Sequence, residues 1–225
     1  MLVRHRQQAP GVVNMVRQTV LRQHVYEQIK HDIITCKLAP AEPLSENQFV
    51  DRFEVSKTPI REALTTLVQD GLVEYTPNRG FRVTSVSVAD IQEIFEARIF
   101  LETEIFRLAV KKISDSEIDE LEKQSQVDGD VRSPDYADVF LESNRKFNTA
   151  LAAASRNSRL LWYYEILMNE AQRLFYMDIS IHNRDFQWGH GHEGIIKALR
   201  SRDEVAGVTA IRDTLENARK RVLGI

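Results

Sequence analysis

The stretch Val55-Ser56-Lys57-Thr58-Pro59-Ile60-Arg61-Glu62-Ala63-Leu64 carries the signals that decide the fold of the first part of the chain. Ser56 or Thr58 can serve as the N-cap of a helix. Under either choice Pro59 falls in the first turn, where its missing N–H costs little. The apolar residues that follow recur at helical spacing, and Gly71 is a residue type that ends helices. The stretch therefore predicts a helix that stops at Gly71.

Two further helices are predicted on the N-terminal side of this stretch. One runs from Arg17 to about Cys36, because its apolar residues recur at helical spacing and Pro40 disfavours helix in the residue before it. The second begins at Ser45, a residue type that caps helices. Residues 1–16 have no clear periodicity and are predicted to form a flexible arm.

Two short strands are predicted on the C-terminal side. Residues 73–75 and 81–83 alternate like strands, and residues 77–80, Pro-Asn-Arg-Gly, have the composition of a turn. Helix, helix, turn, helix and hairpin in this order make a winged helix-turn-helix, which we predict over residues 17–86. On these signals alone, a small α+β domain that contacts another protein remains the alternative.

From residue 87 onward the helical period dominates and turn signals become rare. The segment from Ser87 to Lys112 predicts one long helix, and Ser114 with Glu117 forms a capping box that opens another. Further helices are predicted over residues 135–154, 158–180, 187–200 and 203–222. Because this region has no strand pattern, residues 87–225 are predicted to form an all-α bundle.

The composition is that of an ordinary globular protein, with 43% hydrophobic and 28% charged residues. No apolar run approaches the ~20 residues of a membrane span, and no secretory signal pattern follows the basic N-terminus, so neither insertion nor export is expected. The lone cysteine, Cys36, cannot form an intrachain disulfide. This cysteine usage fits a reducing compartment, and we expect a cytoplasmic protein.

Charge is divided unevenly along the chain. Residues 1–86 carry 11 Lys/Arg against 9 Asp/Glu, and residues 87–225 carry 19 against 24, within a net charge of −3. A slightly basic head on an acidic body favours a DNA-binding module joined to a sensor.

Four short motifs closely resemble the DNA-binding domain of GntR-family regulators. They are Leu44-Ser45-Glu46, the stretch 55–64, Asp70-Gly71-Leu72-Val73 and Asn78-Arg79-Gly80-Phe81-Arg82-Val83. The helical remainder looks like the FCD ligand domain of the FadR-type subfamily. The resemblance implies a mainly α protein, in which a winged helix-turn-helix is followed by an FCD-like bundle. It also implies a homodimeric transcription regulator whose binding to double-stranded operator DNA responds to a small organic effector.

In a winged helix the second helix of the helix-turn-helix lies in the major groove. Lys57 and Arg61 are one turn apart in the first turns of that helix. Arg61 is expected to read a guanine bidentately, and Lys57 to contact a guanine or a phosphate. The hydroxyls of Ser56 and Thr58 are expected to bind phosphate. The wing contributes Asn78, Arg79 and Gly80.

Three positions depart from the family pattern. Asn47 stands where family members often carry Arg, so we expect it to contact adenine or phosphate and to alter operator preference. Cys36 and Ala41 stand where family members often carry Gly, which affects a turn more than the function.

The FCD resemblance implies a metal site with Asp and His on one helix and His on two later helices. The matching positions here are Asn144, Asn148, His192 and Thr214, and only His192 keeps a strong donor. We therefore expect no metal cofactor, and we interpret these four side chains as a polar lining that holds an organic effector directly. A metal-dependent sensor that retains a degenerate site is the alternative.

Arg98 interrupts the apolar pattern of the first long helix, and the resemblance places it near the same cavity. We expect it either to hold a carboxylate of the effector or to form an internal ion pair with Glu102. The aromatic residues of the following helices are expected in the core and the dimer interface, although one or two could line the pocket. They are Trp162, Tyr163, Tyr164, Phe175 and Tyr176.

An enzyme is not expected, because no catalytic triad, phosphate-binding loop or pair of glutamates at bundle spacing stands out. A different class, an adaptor whose winged helix contacts protein rather than DNA, stays open. For the leading function, a sequence-specific transcription regulator, repression is the favoured mode.

Overall fold

The computed structural model of the chain describes residues 10–126, 133, 136–182 and 191–224. The chain divides into two compact units, of which the first ends at Ser85 and the second begins at Val86. None of the described helices is both long enough and apolar enough to cross a membrane.

The first unit combines helices with a small antiparallel sheet. Its elements are α1 (Pro10–Ile34), β1 (Pro43–Leu44), α2 (Glu46–Phe53), α3 (Lys57–Gln69), β2 (Val73–Thr76) and β3 (Gly80–Val83). The strand order is β1-β3-β2, and Phe81 of β3 lies opposite Leu44 on one side and Tyr75 on the other. This order of elements confirms the predicted winged helix-turn-helix.

Two features of this unit differ from the sequence prediction. α1 begins at Pro10, so helix covers residues 10–16, where an arm is predicted; residues 1–9 lie outside the described residues. Proline suits the first helical position because the N–H it lacks would have no partner there. β1 is absent from the prediction, because a strand of two residues is too short to show alternation.

α3 begins where the quoted stretch places it. Ser56 is its N-cap, with φ −69° and ψ 166°, and Pro59 lies in the first turn. After the helix, Gly71 has a φ of 75°, which lies in the left-handed region that favours glycine. The N–H of Leu72 then donates to the carbonyl oxygen of Leu67 over 3.0 Å, so the chain turns back into β2.

The core of the first unit lies between its helices and the inner face of the sheet. The largest fully buried side chains are those of Ile29, Ile33, Phe49, Ile60, Leu64, Leu67 and Leu72. Because Ile60 and Leu64 fix the inner face of α3, the residues between them on the opposite face are directed to solvent.

Cys36 and Ala41, two residues that depart from the family pattern, both adopt left-handed backbone, with φ of 57° and 63°. Glycine adopts this conformation without steric cost, which explains its frequent use there. Main-chain hydrogen bonds to β3 hold Ala41 in this conformation. The N–H of Ala41 donates to the carbonyl oxygen of Val83 (3.1 Å), and the N–H of Val83 donates to that of Glu42 (2.9 Å).

The second unit is the predicted helical bundle. Its elements are α4 (Val88–Ala109), α5 (Asp115–Ser125), α6 (Tyr136–Ala154), α7 (Ser158–His182), α8 (Gly191–Ser201) and α9 (Glu204–Leu223). The predicted capping box of Ser114 and Glu117 is confirmed, and Ser87 forms a second one with Asp90 at the start of α4. The predicted start of a helix at residue 187 lies outside the described residues.

α4 packs against α6, α7 and α9. Its buried stripe contains Phe95, Ile99, Ile105 and Phe106, and it also contains Arg98 and Glu102. Where α4 meets α9, the absence of a side chain at Gly207 makes room for the Phe106 ring, which a Cβ there would overlap. The helical period of α4 therefore brings two charged side chains into the interior of the bundle.

Candidate functional site

The start of α3 presents polar and basic side chains to solvent. Lys57, Thr58 and Arg61 are exposed, while Ile60 is fully buried and anchors the helix. Ser56 has the backbone geometry of an N-cap, but within the described structure its side chain makes no capping hydrogen bond. Its hydroxyl and the first N–H groups of α3 can therefore bind an anion such as a phosphate.

Arg61 is paired with a carboxylate from the preceding helix. Its Nε lies 3.9 Å from Oε1 of Glu46, and the arginine side chain is 63% exposed. A pair this exposed contributes at most about 1 kcal/mol to stability, but it biases the guanidinium toward one orientation. Sequence reasoning missed Glu46 as a neighbour of Arg61, because the crossing of α2 and α3 cannot be read from spacing along the chain.

The hairpin of β2 and β3 forms the wing. Thr76 lies opposite Gly80, so Pro77, Asn78 and Arg79 make up its loop, and all three are exposed. Asn78 and Gly80 have φ of 66° and 79°, and the N–H of Arg79 donates to the carbonyl oxygen of Thr76 over 3.0 Å. Arg79 therefore projects from a tightly constrained turn.

Asn47 is exposed on α2, and it follows Glu46 directly. Among the eight predicted DNA-binding residues only Gly80 is partly buried. The first unit thus carries these residues at three places, which are α2, the start of α3 and the wing.

Inside the second unit an imidazole and two amides form a hydrogen-bonded chain. Nε2 of His192 lies 3.1 Å from Oδ1 of Asn144. Nδ2 of Asn148 donates to the same Oδ1 over 3.1 Å and to the main-chain oxygen of Asn144 over 2.9 Å. His192 lies on α8 and both asparagines lie on α6, so the chain links two helices.

The His192 ring is held neutral. It stacks on the ring of Phe147, with centroids 3.7 Å apart and planes 16° from parallel. Burial lowers the pKa of His192 from 6.5 to about 4, because the charged imidazolium is poorly solvated there. Since Oδ1 of Asn144 acts as the acceptor, Nε2 of His192 carries the hydrogen, and Nδ1 of the neutral ring can accept a hydrogen bond.

Thr214 of α9 lies against the first residue of α8. Its Oγ1 is 2.8 Å from the carbonyl oxygen of Ala210 and 3.3 Å from that of Gly191. A hydroxyl has one hydrogen to share between these acceptors. Thr214 therefore contacts the residue next to His192, and α6, α8 and α9 all contribute to this polar cluster.

Arg98 forms the internal ion pair that was one of its two predicted roles. Its Nε donates to Oε1 of Glu102 over 2.8 Å, one helical turn away, and both side chains are buried. The guanidinium carbon lies 5.4 Å from the ring centroid of Phe95 and 5.5 Å from that of Phe175. Arg98 thus belongs to a second set of polar contacts, formed where α4 meets α7.

Sequence reasoning missed three polar residues of α6 and α7, which are Arg145, Asn169 and Gln172. Tyr164 of α7, by contrast, is one of the aromatic residues expected in the core or the dimer interface. Tyr164 is fully buried, and the charges of Glu102, Arg98 and Arg145 all act on its phenol. Nη1 of Arg145 donates to the side-chain oxygens of Asn169 (3.1 Å) and Gln172 (2.9 Å). The helical phase of α7 is the signal that could have found Asn169 and Gln172, since these two buried polar residues interrupt its apolar stripe.

Comparison with known proteins agrees with this architecture. The profile of the FCD domain matches residues 93–217, and that of the gntR family of bacterial regulatory proteins matches residues 21–83. The chain belongs to the GntR family, in the branch that carries an FCD domain. Proteins of this family regulate transcription and are not enzymes.

Curated relatives of this GntR-family chain include two regulators of Escherichia coli (strain K12). The HTH-type transcriptional repressor RspR is 29% identical over 203 residues, which cover 90% of this chain and 89% of RspR. The HTH-type transcriptional repressor GlaR is 32% identical over 152 residues, which cover 66% of this chain and 69% of GlaR.

Solved structures show the same fold. E. coli McbR/YncC superposes with a TM-score of 0.77 at 20% identity, covering 91% of this chain and 97% of that one. A GntR transcriptional regulator from Rhodococcus sp. RHA1 superposes with a TM-score of 0.71 at 22% identity, covering 90% and 97%. At this level of identity the likeness concerns the fold alone.

The residues at the FCD metal positions do not fit a metal ion in this GntR-family protein. Oδ1 of Asn144 and Nε2 of His192 bind each other, and amides are weak ligands for zinc-type ions. Thr214 makes its contacts to main-chain oxygens. Within the described residues no three His, Cys, Asp or Glu side chains come together as a metal site would require.

Proposed function

We propose that this GntR-family protein is a cytoplasmic, homodimeric repressor that binds an operator and responds to a small organic acid. The observation that carries the proposal is the exposure of Lys57 and Arg61 at the start of α3, the helix that this motif inserts into the major groove. Two of its relatives, RspR and GlaR, are named repressors, which favours repression over activation.

The proposed operator contacts divide into base readout and backbone binding. The guanidinium fork of Arg61 matches O6 and N7 of a guanine, and Lys57 contacts a second guanine or a phosphate. Asn47 binds an adenine edge or a phosphate. The remaining residues orient the domain on the sugar-phosphate backbone and the minor groove; they are Ser56, Thr58, Asn78, Arg79 and Gly80.

A homodimer is proposed because two heads reading two half-sites give more specificity than one. Exposed aromatic side chains on α4 and α7 support a subunit interface on the second unit, since such side chains are enriched at interfaces. They are Phe100 (73% exposed), Trp162 (55%) and Tyr163 (58%). We expect the double change Phe100→Ser and Trp162→Ser to convert the dimer to a monomer in sedimentation velocity, and an unchanged dimer would place the interface elsewhere.

The proposed effector site lies in the second unit and needs no metal. Its residues are Arg98, Asn144, Asn148, His192 and Thr214. The cation of Arg98 suits a carboxylate, while the lone pair of His192 Nδ1 suits a hydroxyl or amine of the same molecule. Such an effector changes operator affinity only if it binds one arrangement of the homodimer more tightly than the other.

The test is to map which genomic DNA fragments the purified full-length protein retains at physiological salt. Lys57→Ala and Arg61→Ala are compared with Lys123→Ala and Arg159→Ala, which remove exposed cations of the same type from the second unit. We expect the wild type and both controls to retain a few fragments that share a palindrome. Arg61→Ala should lose about 10- to 100-fold in affinity and relax the preference at one base pair of each half-site.

Lys57→Ala should weaken binding and reduce the salt dependence by about one phosphate contact. Retention of no fragment, or of every fragment without a shared sequence, would contradict the proposed function. If the two α3 variants retained the same fragments as the wild type with equal affinity, the proposed roles of Lys57 and Arg61 in operator binding would be wrong.

A further inference from the structure

The exposed face of α3 continues one helical turn beyond Arg61. Thr58, Arg61, Glu62 and Thr65 are exposed, and the buried residues of α3 lie on the opposite side of the helix. Counted from Thr58, the other three follow after three, four and seven residues, which places all four on one helical face. Homeodomains read bases in the major groove from recognition-helix residues with this same spacing. Thr65 therefore belongs to the face that α3 would present to DNA.

The hydroxyl of Thr65 is bound to its own helix. Its Oγ1 donates to the main-chain oxygen of Arg61 over 2.7 Å. Because a hydroxyl has one hydrogen, Thr65 cannot donate to a base or a phosphate while this bond is made. The methyl group is attached to the same Cβ and is the part of this exposed side chain that remains available to a ligand. Thr65 therefore offers an apolar group to the groove.

The major groove contains one apolar group that such a side chain can recognise. Among the four bases of DNA only thymine presents a methyl group there, and the methyl group of a threonine is one of the side-chain groups that contact it. Against the polar edge of another base, the same methyl group would displace water without replacing its hydrogen bonds. The available methyl group of Thr65 therefore favours thymine over the other three bases.

We propose that Thr65 is a specificity-determining residue, whose methyl group contacts the methyl group of a thymine close to the guanine that Arg61 reads. Four residues of an α-helix advance by about 6 Å, and successive bases of one DNA strand by about 3.4 Å. The thymine therefore lies at most about two base pairs from the guanine. This contact rests on the operator binding proposed above, and it adds a base preference that Lys57 and Arg61 do not supply.

The test uses the full-length protein and a DNA duplex that it enriches from a library of random duplexes. Each thymine of one half-site is replaced in turn by uracil, which lacks only the methyl group. We expect one of these replacements to weaken binding by the wild type about three- to fivefold, the loss that corresponds to one buried methyl group. The guanine is located separately, as the position at which Arg61→Ala loses its base preference.

Two variants of Thr65 separate its methyl group from its hydroxyl. Thr65→Ser removes the methyl group and should bind the thymine and uracil duplexes equally, whereas Thr65→Val keeps a methyl group and should still prefer thymine. The control is Thr66→Ser, because Thr66 is partly buried and its hydroxyl also donates to the main chain, to the oxygen of Glu62 over 3.0 Å. This control should prefer thymine as the wild type does. A purely structural effect would change the affinity for both duplexes and leave their ratio unchanged.

An enriched sequence in which no uracil weakens binding by the wild type would overturn the contact. So would a sensitive thymine more than about two base pairs from the guanine of Arg61. A preference for thymine that persists in Thr65→Ser would assign the contact to another residue, and its loss in Thr65→Val would assign it to the hydroxyl. Each of these results leaves operator binding intact, whereas enrichment of no sequence at all would contradict the proposed function together with this contact.

Discussion

Nε2 of His192 and Oδ1 of Asn144 lie 3.1 Å apart, although 48 residues separate them in the chain. Their hydrogen bond ties α8 to α6 at the positions that the FCD resemblance matches to metal ligands. Nε2 carries the hydrogen of this contact, because an asparagine oxygen can only accept. Protonation of His192 would put a charge against the Phe147 ring, in a place where solvent is largely excluded.

The stability of the second unit should therefore fall on acidification. Burial lowers the pKa of His192 to about 4 in the folded protein, whereas the unfolded chain binds the proton near 6.5. Between these values the unfolded state binds more protons, so acid favours unfolding. We expect a loss of roughly 2 kcal/mol between about pH 7 and pH 5, measured by urea unfolding. His192→Gln should abolish most of this slope.

Comparing the wild type with His192→Gln isolates the contribution of His192 to the pH dependence of stability. Burial raises the pKa of Glu170, which works in the opposite direction because acid then favours the folded state, and both proteins share it. Hydrogen bonds from Ser114 lower the pKa of Glu117 to about 2. Glu117 therefore affects stability only in more acidic solution. Equal slopes for the wild type and His192→Gln would show that His192 is not the group responsible.

The local signals of the chain predicted the first unit almost completely. Pro59 and Gly71 mark the start and end of α3, and Asn78 with Gly80 marks the wing turn, because each residue type acts on its own backbone. The pairing of Arg98 with Glu102 was foreseen as one of two options, since residues four apart on a helix face each other.

The missing contacts are those that depend on how distant helices cross. Glu46 of α2 pairs with Arg61 of α3. The charges of Arg98 on α4 and Arg145 on α6 both act on the phenol of Tyr164 on α7. The hydrophobic period of each helix states which face is buried, but it does not state which residue of another helix meets that face. The sequence therefore predicts several of the polar residues inside the second unit, but not which residues they contact.

Restoring the ligands of the related domains should create a metal site. The triple variant Asn144→Asp, Asn148→His and Thr214→His joins the existing His192 in a set of one carboxylate and three imidazoles, a set that suits zinc-type ions. We expect zinc to raise the unfolding temperature of the triple variant and a chelator to reverse the rise. The wild-type protein should respond to neither. Stoichiometric metal in the purified wild type, found by elemental analysis, would contradict this account.

Replacing Ala41 by glycine should stabilise the first unit. Ala41 has a φ of 63°, which costs an alanine about 1 kcal/mol and costs glycine very little, and the hydrogen bond to Val83 keeps the backbone in this conformation. Calorimetry of the full chain should place the unfolding of this unit several degrees higher in Ala41→Gly. Ala153→Gly, a change on an exposed position in the last turn of α6, should instead destabilise its own unit by less than about 1 kcal/mol. A lower unfolding temperature for Ala41→Gly would mean that the greater freedom of glycine in the unfolded chain outweighs the relief of strain.

The contact of Gly207 with Phe106 should be the most sensitive point of the α4–α9 crossing. A Cβ at residue 207 would overlap the aromatic ring, and both residues are buried, so Gly207→Ala forces the helices apart or the ring out of its rotamer. We expect a loss of about 2–3 kcal/mol in the free energy of unfolding, measured by urea unfolding followed by circular dichroism. Thr209→Ala, on the exposed side of α9, should change stability by less than about 0.5 kcal/mol.

A double variant distinguishes this overlap from a general weakness of α9. Phe106→Leu removes the ring that the new methyl group meets, so Gly207→Ala should cost much less in that background than in the wild type. The two changes would then be coupled by about 1 kcal/mol or more, as expected for residues in direct contact. If the losses of unfolding free energy of the two single variants were additive in the double variant, the cost of Gly207→Ala would not come from overlap with the Phe106 ring.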